Sequence, residues 1–244
     1  MHKVIYWSAG VAVGGFLFGF DTAGISGADQ PLQRLWQMSD LLHGAFVMSS
    51  ALWGTVIGAL TGSIPCDRLG RKRTLTLVGV FYLGSALGSA LAPDPYSFAF
   101  LRFIGGLGVG ISSIAVPAYI SEIPPPAIRG RLGALYQFQI VFGILIALLS
   151  NFLLSEYAGL DWRWMLGVET VPALAFLLIV FRIPESPRWL LTQAGNEAEC
   201  RRVLAISDPV RVDETIADIR RSSNEQTGGR LFVRRYRFPI LLAF

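Results

Sequence analysis

The stretch that decides the fold is G-G-F-L-F-G-F-D-T-A-G-I-S-G-A, Gly14 to Ala28, an apolar and glycine-rich run with one bare carboxylate, Asp21. It continues the apolar run that begins at Val4, and together they are long enough to cross a bilayer as a helix. An ionisable side chain in mid-membrane costs roughly 2.5 kcal/mol or more, so Asp21 implies a use or a partner. Working outward, five further runs have the same character: Gly44 to Pro65, Thr74 to Ala92, Tyr96 to Ile120, Leu132 to Leu154 and Trp164 to Phe181. Each is close to the ~20 residues that span a hydrocarbon core. The sequence therefore predicts an all-α membrane protein with six spans.

Composition agrees. Of 244 residues, 52% are hydrophobic and 16% charged, with mean hydropathy +0.50, a balance that favours lipid over water. The net charge of +4 is explained by where the cations fall, without invoking nucleic acid. Arg68, Arg71, Lys72 and Arg73 follow the second span, Arg129 and Arg131 the fourth, and Arg182 and Arg188 the sixth, whereas the opposite loops carry Arg34 and Arg163. With Lys3 ahead of the first span, the positive-inside rule predicts a cytosolic N-terminus. The first apolar run is too long for an ordinary signal-peptide core and is expected to stay as a span.

Glycines recur four apart, at Gly10 and Gly14, Gly15 and Gly19, Gly54, Gly58 and Gly62, and Gly106 and Gly110, a spacing that lets helix backbones approach closely. The run G-G-L-G-V-G, Gly105 to Gly110, lacks dinucleotide-fingerprint spacing and lies in mid-span, so packing is its expected role. Cys66 and Cys200 form neither a disulfide framework nor a zinc motif. His2 and His43 lie near span ends with no nucleophile or metal ligands assigned to them. No metal, cofactor or enzymatic chemistry is expected.

Residues 185–237 are rich in charge and read as a small cytosolic helical segment, separate from the six spans in residues 1–184. A new apolar run, F-P-I-L-L-A-F, begins at Phe238 and is expected to be the start of a seventh span.

Three spans hold an ionisable residue: Asp21, Arg102 and Glu169. At 1.5 Å per residue they lie about 10, 9 and 8 Å below the outer ends of their spans, hence in one layer. One guanidinium beside two carboxyls is a sensible proton site. Arg102 can hold one carboxylate ionised while repulsion and desolvation favour a proton on the other. The competing reading is that Arg102 and Glu169 snorkel to the interface while Asp21 caps a helix irregularity. Gln137 and Asn151 can each bond a sugar hydroxyl or join two helices, and Phe18, one turn before Asp21, can stack on a sugar ring or simply pack. At the cytosolic face, D-R-L-G-R-K-R (Asp67 to Arg73), S-E-I-P-P-P-A-I-R-G-R (Ser121 to Arg131) and P-E-S-P-R (Pro184 to Arg188) mix acids with arginines. They predict an ion-pair network among Arg68, Arg71, Glu122, Arg129, Glu185 and Arg188. Exposed pairs are worth on the order of 0 to 1 kcal/mol each, so topology and solubility alone also explain these charges.

In this order, G-F-L-F-G-F-D-T-A-G-I-S-G, D-R-L-G-R-K-R, R-F-I-G-G-L-G-V-G through P-A-Y-I-S-E-I-P-P-P-A-I-R-G, Y-Q-F-Q-I-V-F-G, W-R-W-M-L and P-E-S-P-R-W-L-L resemble the sugar-porter branch of the major facilitator superfamily. The likeness is greatest to the proton-linked symporters for xylose, arabinose and galactose. The resemblance implies two six-helix halves built from inverted repeats of three, with a monosaccharide bound between them and alternating access. It implies that Asp21 is the proton-coupling acid, Arg102 its partner and Glu169 a modulating acid. Passive members tend to have an amide at the Asp21 position, so the likeness is to a symporter. Gln137 and Phe18 correspond to sugar contacts, the six charges above to an inner gate, and the segment from Ser186 onward to an intracellular helical domain. Ser63 departs from the family's loop motif, which usually begins with glycine. The match covers the N-terminal half of the fold. The expectation is proton-coupled monosaccharide transport across the plasma membrane, with protons, the lipid bilayer and a C-terminal half, from the same gene or a separate chain, as partners. A facilitative uniporter, a membrane sugar sensor and an inactive fragment are the alternatives.

Overall fold

The computed structural model describes residues 2–157 and 161–226, and among these all regular structure is helical. The predicted start of a seventh span, residues 238–244, and residues 227–237 of the charged segment lie outside the described residues. Among the described residues six helices are long and apolar enough to cross a bilayer: α1 (His2–Gly27), α3 (Asp40–Thr61), α5 (Arg71–Leu91), α6 (Pro95–Glu122), α7 (Pro126–Glu156) and α8 (Trp162–Arg182). Between and after them come α2 (Asp29–Trp36), α4 (Ser63–Leu69), α9 (Pro187–Thr192), α10 (Glu197–Ser207) and α11 (Val212–Gln226). The expected spans are all present, and most extend outward into flanking charged turns, because a helix has no need to stop where the hydrocarbon does.

Burial divides the six into two matching triplets. The most apolar windows of α1 and α6 are each 61% buried, those of α3 and α7 are 22% and 17%, and those of α5 and α8 are 50% and 39%. First matches first, second matches second and third matches third. The pairings repeat too, α1 lying along α7 as α6 lies along α3, while α5 packs on α8. Neighbouring contacts show α1 and α7 running parallel, with Gly15 against Tyr136 and Gly19 against Ile140, whereas α1 and α6 are antiparallel, Gly14 meeting Val116 and Asp21 meeting Arg102. The second triplet therefore starts from the opposite side of the bundle, as the inverted-repeat expectation requires.

The glycines make these crossings possible. A Cβ at Gly54 or Gly58 would strike the backbone carbonyls of Phe103 or Leu107, and one at Gly106 or Gly110 those of Ala51 or Thr55. Helix α3 thus lies backbone to backbone on α6, held by dispersion over a small-residue seam. Gly19 and Gly143 do the same for α1 on α7, against Ile140 and Phe16. Gly10 and Gly14 differ: they face the side chains of Ile179, Val116 and Phe176 and make room for a core instead.

The main core runs from the centre of α1, α5, α6 and α8 to the arginine-rich end, where Leu190, Cys200, Val203, Leu204 and Ile216 of α9–α11 join the same buried cluster as Val4. A smaller core at the opposite end gathers Leu32 of α2, Val47, Phe98, Trp162 and Leu166, with Trp36 packed on it. His43 Nε2 lies 2.8 Å from Asp29 Oδ1, tying α2 to the start of α3, a pairing the sequence did not indicate.

Candidate functional site

Asp21 sits near the end of α1, just before the helix tightens into a 3₁₀ turn at Ile25–Gly27. That irregular end is held from α7, where Asn151 Nδ2 donates to the Gly24 carbonyl at 3.0 Å. Of the two readings open for Asn151, helix joining is the one observed. Helix α6 is started by Asp94, whose carboxylate accepts from the backbone N–H of Tyr96 and Ser97 at 2.9 and 3.0 Å, and Arg102 lies eight residues on, about 12 Å along the axis. The two charges meet. Arg102 Nη1 donates to Asp21 Oδ1 at 2.5 Å, and Nη2 reaches the Asp21 carbonyl at 3.2 Å and Oδ2 at 3.4 Å.

Asp21, Arg102 and Glu169 are 3%, 2% and 3% exposed, so none reaches the surface as a snorkelling charge would. Glu169 lies where α8 changes from its first piece, Trp162–Gly167, to its second, Thr170–Arg182. Gly167 faces Ala90 and Leu177 faces Gly79, which sets Glu169 at the level of Leu87 and Gly88 on α5, the turn on which Leu101, next to Arg102, also packs. Its Oε1 is buried and has no hydrogen-bond partner among the described residues. The three helices thus bring all three groups into one buried layer, as a direct ion pair with a second carboxyl at the same level. One guanidinium compensates one carboxylate. The other must carry either an unpaired charge, which is costly in such surroundings, or a proton.

Phe18 is half-buried against the main core, three residues from Asp21. Gln137 is exposed on α7 and lines a crevice of about 210 Å³ with Pro117, Ser121, Arg129 and Tyr136. The parallel register of α1 and α7 puts Gln137 within about one turn of the level of Phe18.

The arginine-rich end is organised more specifically than a surface network. Arg71 Nη2 pairs with Glu122 Oε1 at 2.9 Å, with both side chains about nine-tenths buried, and its Nη1 lies 3.5 Å from Asp67 Oδ1. The second oxygen of Glu122 accepts from the Ser186 hydroxyl. The Glu185 carboxylate accepts the backbone N–H groups of Arg71 at 2.8 Å and Lys72 at 3.0 Å, capping α5 from across the chain. Gly70 allows this. It has φ +91°, and a Cβ there would run into the Glu185 carboxylate. Arg188 shares a polar crevice with Arg71 and Glu122. Arg68 and Arg129 are exposed, and Arg129 reaches the Pro124 carbonyl at 3.5 Å, so these two stand outside the buried cluster. Sequence reasoning missed Asp67, Ser186 and Tyr119, whose hydroxyl donates to the Pro184 carbonyl at 3.2 Å. Ser63, the departure from the loop motif, is exposed.

A sequence model described as "Sugar (and other) transporter" matches residues 7–244. Among curated proteins, the chain is 42% identical to a glucose transport protein of Synechocystis over 88% of its own length and 49% of the relative's. It is 36% identical to an arabinose-proton symporter of Bacillus subtilis over 95% and 51%. The chain spans about half the length of the curated relatives it matches. Among solved structures it superposes on the xylose transporter of E. coli in a partially occluded inward-open conformation with a TM-score of 0.84 at 32% identity, covering 92% of this chain and 60% of that one.

Proposed function

Since the chain belongs to the sugar (and other) transporter family, we propose that it forms the N-terminal half of a proton-coupled monosaccharide transporter working by alternating access in the plasma membrane. Residues 1–184 are the six-span half and residues 185–237 a cytosolic helical segment, with the N-terminus in the cytosol as the cation asymmetry favours. The thinly buried α3 and α7 face the C-terminal half, supplied by the same gene or by a separate chain.

The observation that carries this reading is the buried pair of Asp21 and Arg102, with Glu169 buried at the same level. In the outward-facing state Asp21 takes a proton, which weakens its hold on Arg102 and leaves the guanidinium free to turn toward Glu169. Because Asp21 and Arg102 join α1 to α6, neutralising one of them changes how the two triplets pack. The sugar binds near Phe18 and Gln137. Opening to the cytosol then requires parting the contacts among Arg71, Glu122, Glu185 and Arg188, with Arg68 and Arg129 as the exposed members of that gate. Contacts of this sort suit a gate because each is worth only a few kcal/mol at most.

The test is sugar-induced alkalinisation of the medium by cells expressing the gene that encodes this chain. Alkalinisation is expected for the native sequence and lost in Asp21→Asn, with sugar counterflow retained. Undiminished proton uptake in Asp21→Asn rejects symport and leaves a uniporter.

A further inference from the structure

Serine and threonine inside these helices nearly always spend their hydroxyl on a carbonyl three or four residues back, as Thr22, Thr55, Ser112 and Ser150 do. Ser85 and Ser89 on α5 do not. Both are 1% exposed, and neither Oγ has a partner among the described residues. Spaced four apart, they lie on one face of α5.

That face meets the proton site. On α6, a Cβ added at Gly105 would run into Ser85 Oγ and would lie 3.8 Å from Asp21 Oδ1, and Leu101 sits against Gly88, so Arg102 lies at the level of the turn between the two serines. On α8, Gly167 faces Ala90 and Leu177 faces Gly79, an antiparallel register that sets Glu169 opposite Leu87 and Gly88. Arg102 Nε and Glu169 Oε1 are likewise buried without partners among the described residues. With Thr170 Oγ1, also buried without a partner among the described residues, five unfulfilled polar atoms from three helices therefore lie at the level of about one turn of α5. Ser8 also lacks a partner, but it lies thirteen residues before Asp21, about 20 Å along α1. Buried polar atoms in this density are the setting in which proteins hold ordered water, each molecule making about three hydrogen bonds.

We propose that Ser85 and Ser89 are positioning residues that hold water between the Glu169 carboxyl and the Asp21–Arg102 pair, making a hydrogen-bonded route for a proton between the two acids. The inference rests on the proton-site reading above. In the transfer one O–H bond breaks at the donor carboxyl and one forms at the acceptor, and the water and hydroxyls end as they began. The serines act through the water they orient and need not ionise.

The experiment is infrared difference spectroscopy of the purified chain in lipid nanodiscs, taken on acidification, in ordinary water and in water enriched with oxygen-18. The carbonyl band of a protonated Glu169 is assigned by its disappearance in Glu169→Gln. Ser85→Ala and Ser89→Ala are each expected to shift this band and to abolish an isotope-sensitive band of bound water, while Ser85→Thr, which keeps the hydroxyl, restores both. Circular dichroism checks that the variants retain their helix. A carboxyl band unmoved in both alanine variants, or no isotope-sensitive band in the native chain, overturns the inference while leaving the proton site intact. If the native chain has no band removed by Glu169→Gln, the proton-site reading itself fails, and this inference with it.

Discussion

Replacing Glu185 with alanine removes the group that starts α5 from a distance. The first residue before that helix, Gly70, has no side chain to cap it, so the N–H groups of Arg71 and Lys72 depend on Glu185 at 2.8 and 3.0 Å. Hydrogen bonds to a charged group are worth about 1.5–3 kcal/mol each, and loss of a helix cap usually costs about 0.5–2 kcal/mol. The carboxylate is only half-buried, so water replaces part of the loss, and we expect the first turn of α5 to open more easily by about 2–3 kcal/mol. At 1.4 kcal/mol per decade that is a roughly 30- to 150-fold rise in amide exchange. Hydrogen–deuterium exchange of the purified chain, read on a peptide covering residues 70–76, measures it, with a peptide from the middle of α7 as the control. Glu185→Gln keeps one acceptor oxygen and should fall between. Exchange unchanged in Glu185→Ala would refute the idea that this carboxylate caps α5 and would reduce it to an ordinary surface charge.

Two glycine substitutions, one at the α3–α6 seam and one on an open face of α5, should have opposite effects. Gly106→Ala drives a methyl into the Ala51 carbonyl and should lower the melting temperature, by about 1–3 kcal/mol of stability, whereas Gly84→Ala meets open space and should raise it slightly. At the N-terminus of α6, bonds from the Ser97 backbone, the Ser97 hydroxyl and the Tyr96 backbone hold the Asp94 carboxyl below the usual carboxylate range. A depressed folded value means that the cap contributes above the unfolded value, near pH ~4, and is lost as pH falls through the folded one. Asp94→Asn should therefore remove the part of the acid-induced fall in melting temperature that lies at and below about pH 4. Burial pushes the Cys66 thiol up to about 11, so maleimide labelling at neutral pH should be slow, and labelling at the rate of an exposed thiol would mean that α4 does not pack as described.

The spans were legible because hydropathy is a property of local sequence, and the layer shared by Asp21, Arg102 and Glu169 followed from counting residues along each span. Counting gives depth and not azimuth. It could not show that Arg102 bonds Asp21 directly while Glu169 Oε1 is left without a partner among the described residues. The glycine spacing announced close crossings, but only the fold separates Gly54 and Gly58, which meet backbone, from Gly10 and Gly14, which meet side chains. Glu185 was legible as a charge near arginines. Its role as a cap depends on backbone N–H groups more than a hundred residues away, and no pattern of side chains encodes those. Helix α2 was missed because eight residues with one buried leucine, Leu32, carry too little apolar periodicity. Ser85 and Ser89 gave no signal at all, since a serine's environment is set by the neighbours that assemble around it.

The most direct measurement is a double-mutant cycle on Asp21 and Arg102, read as stability of the purified chain in lipid. Arg102→Leu alone leaves a buried carboxylate without its partner and should cost about 3–5 kcal/mol. Adding Asp21→Asn should recover a large part of that loss, a coupling of at least about 1 kcal/mol. If the two substitutions instead add, with the double variant as unstable as the sum of the singles, the buried pair on which the account stands does not exist.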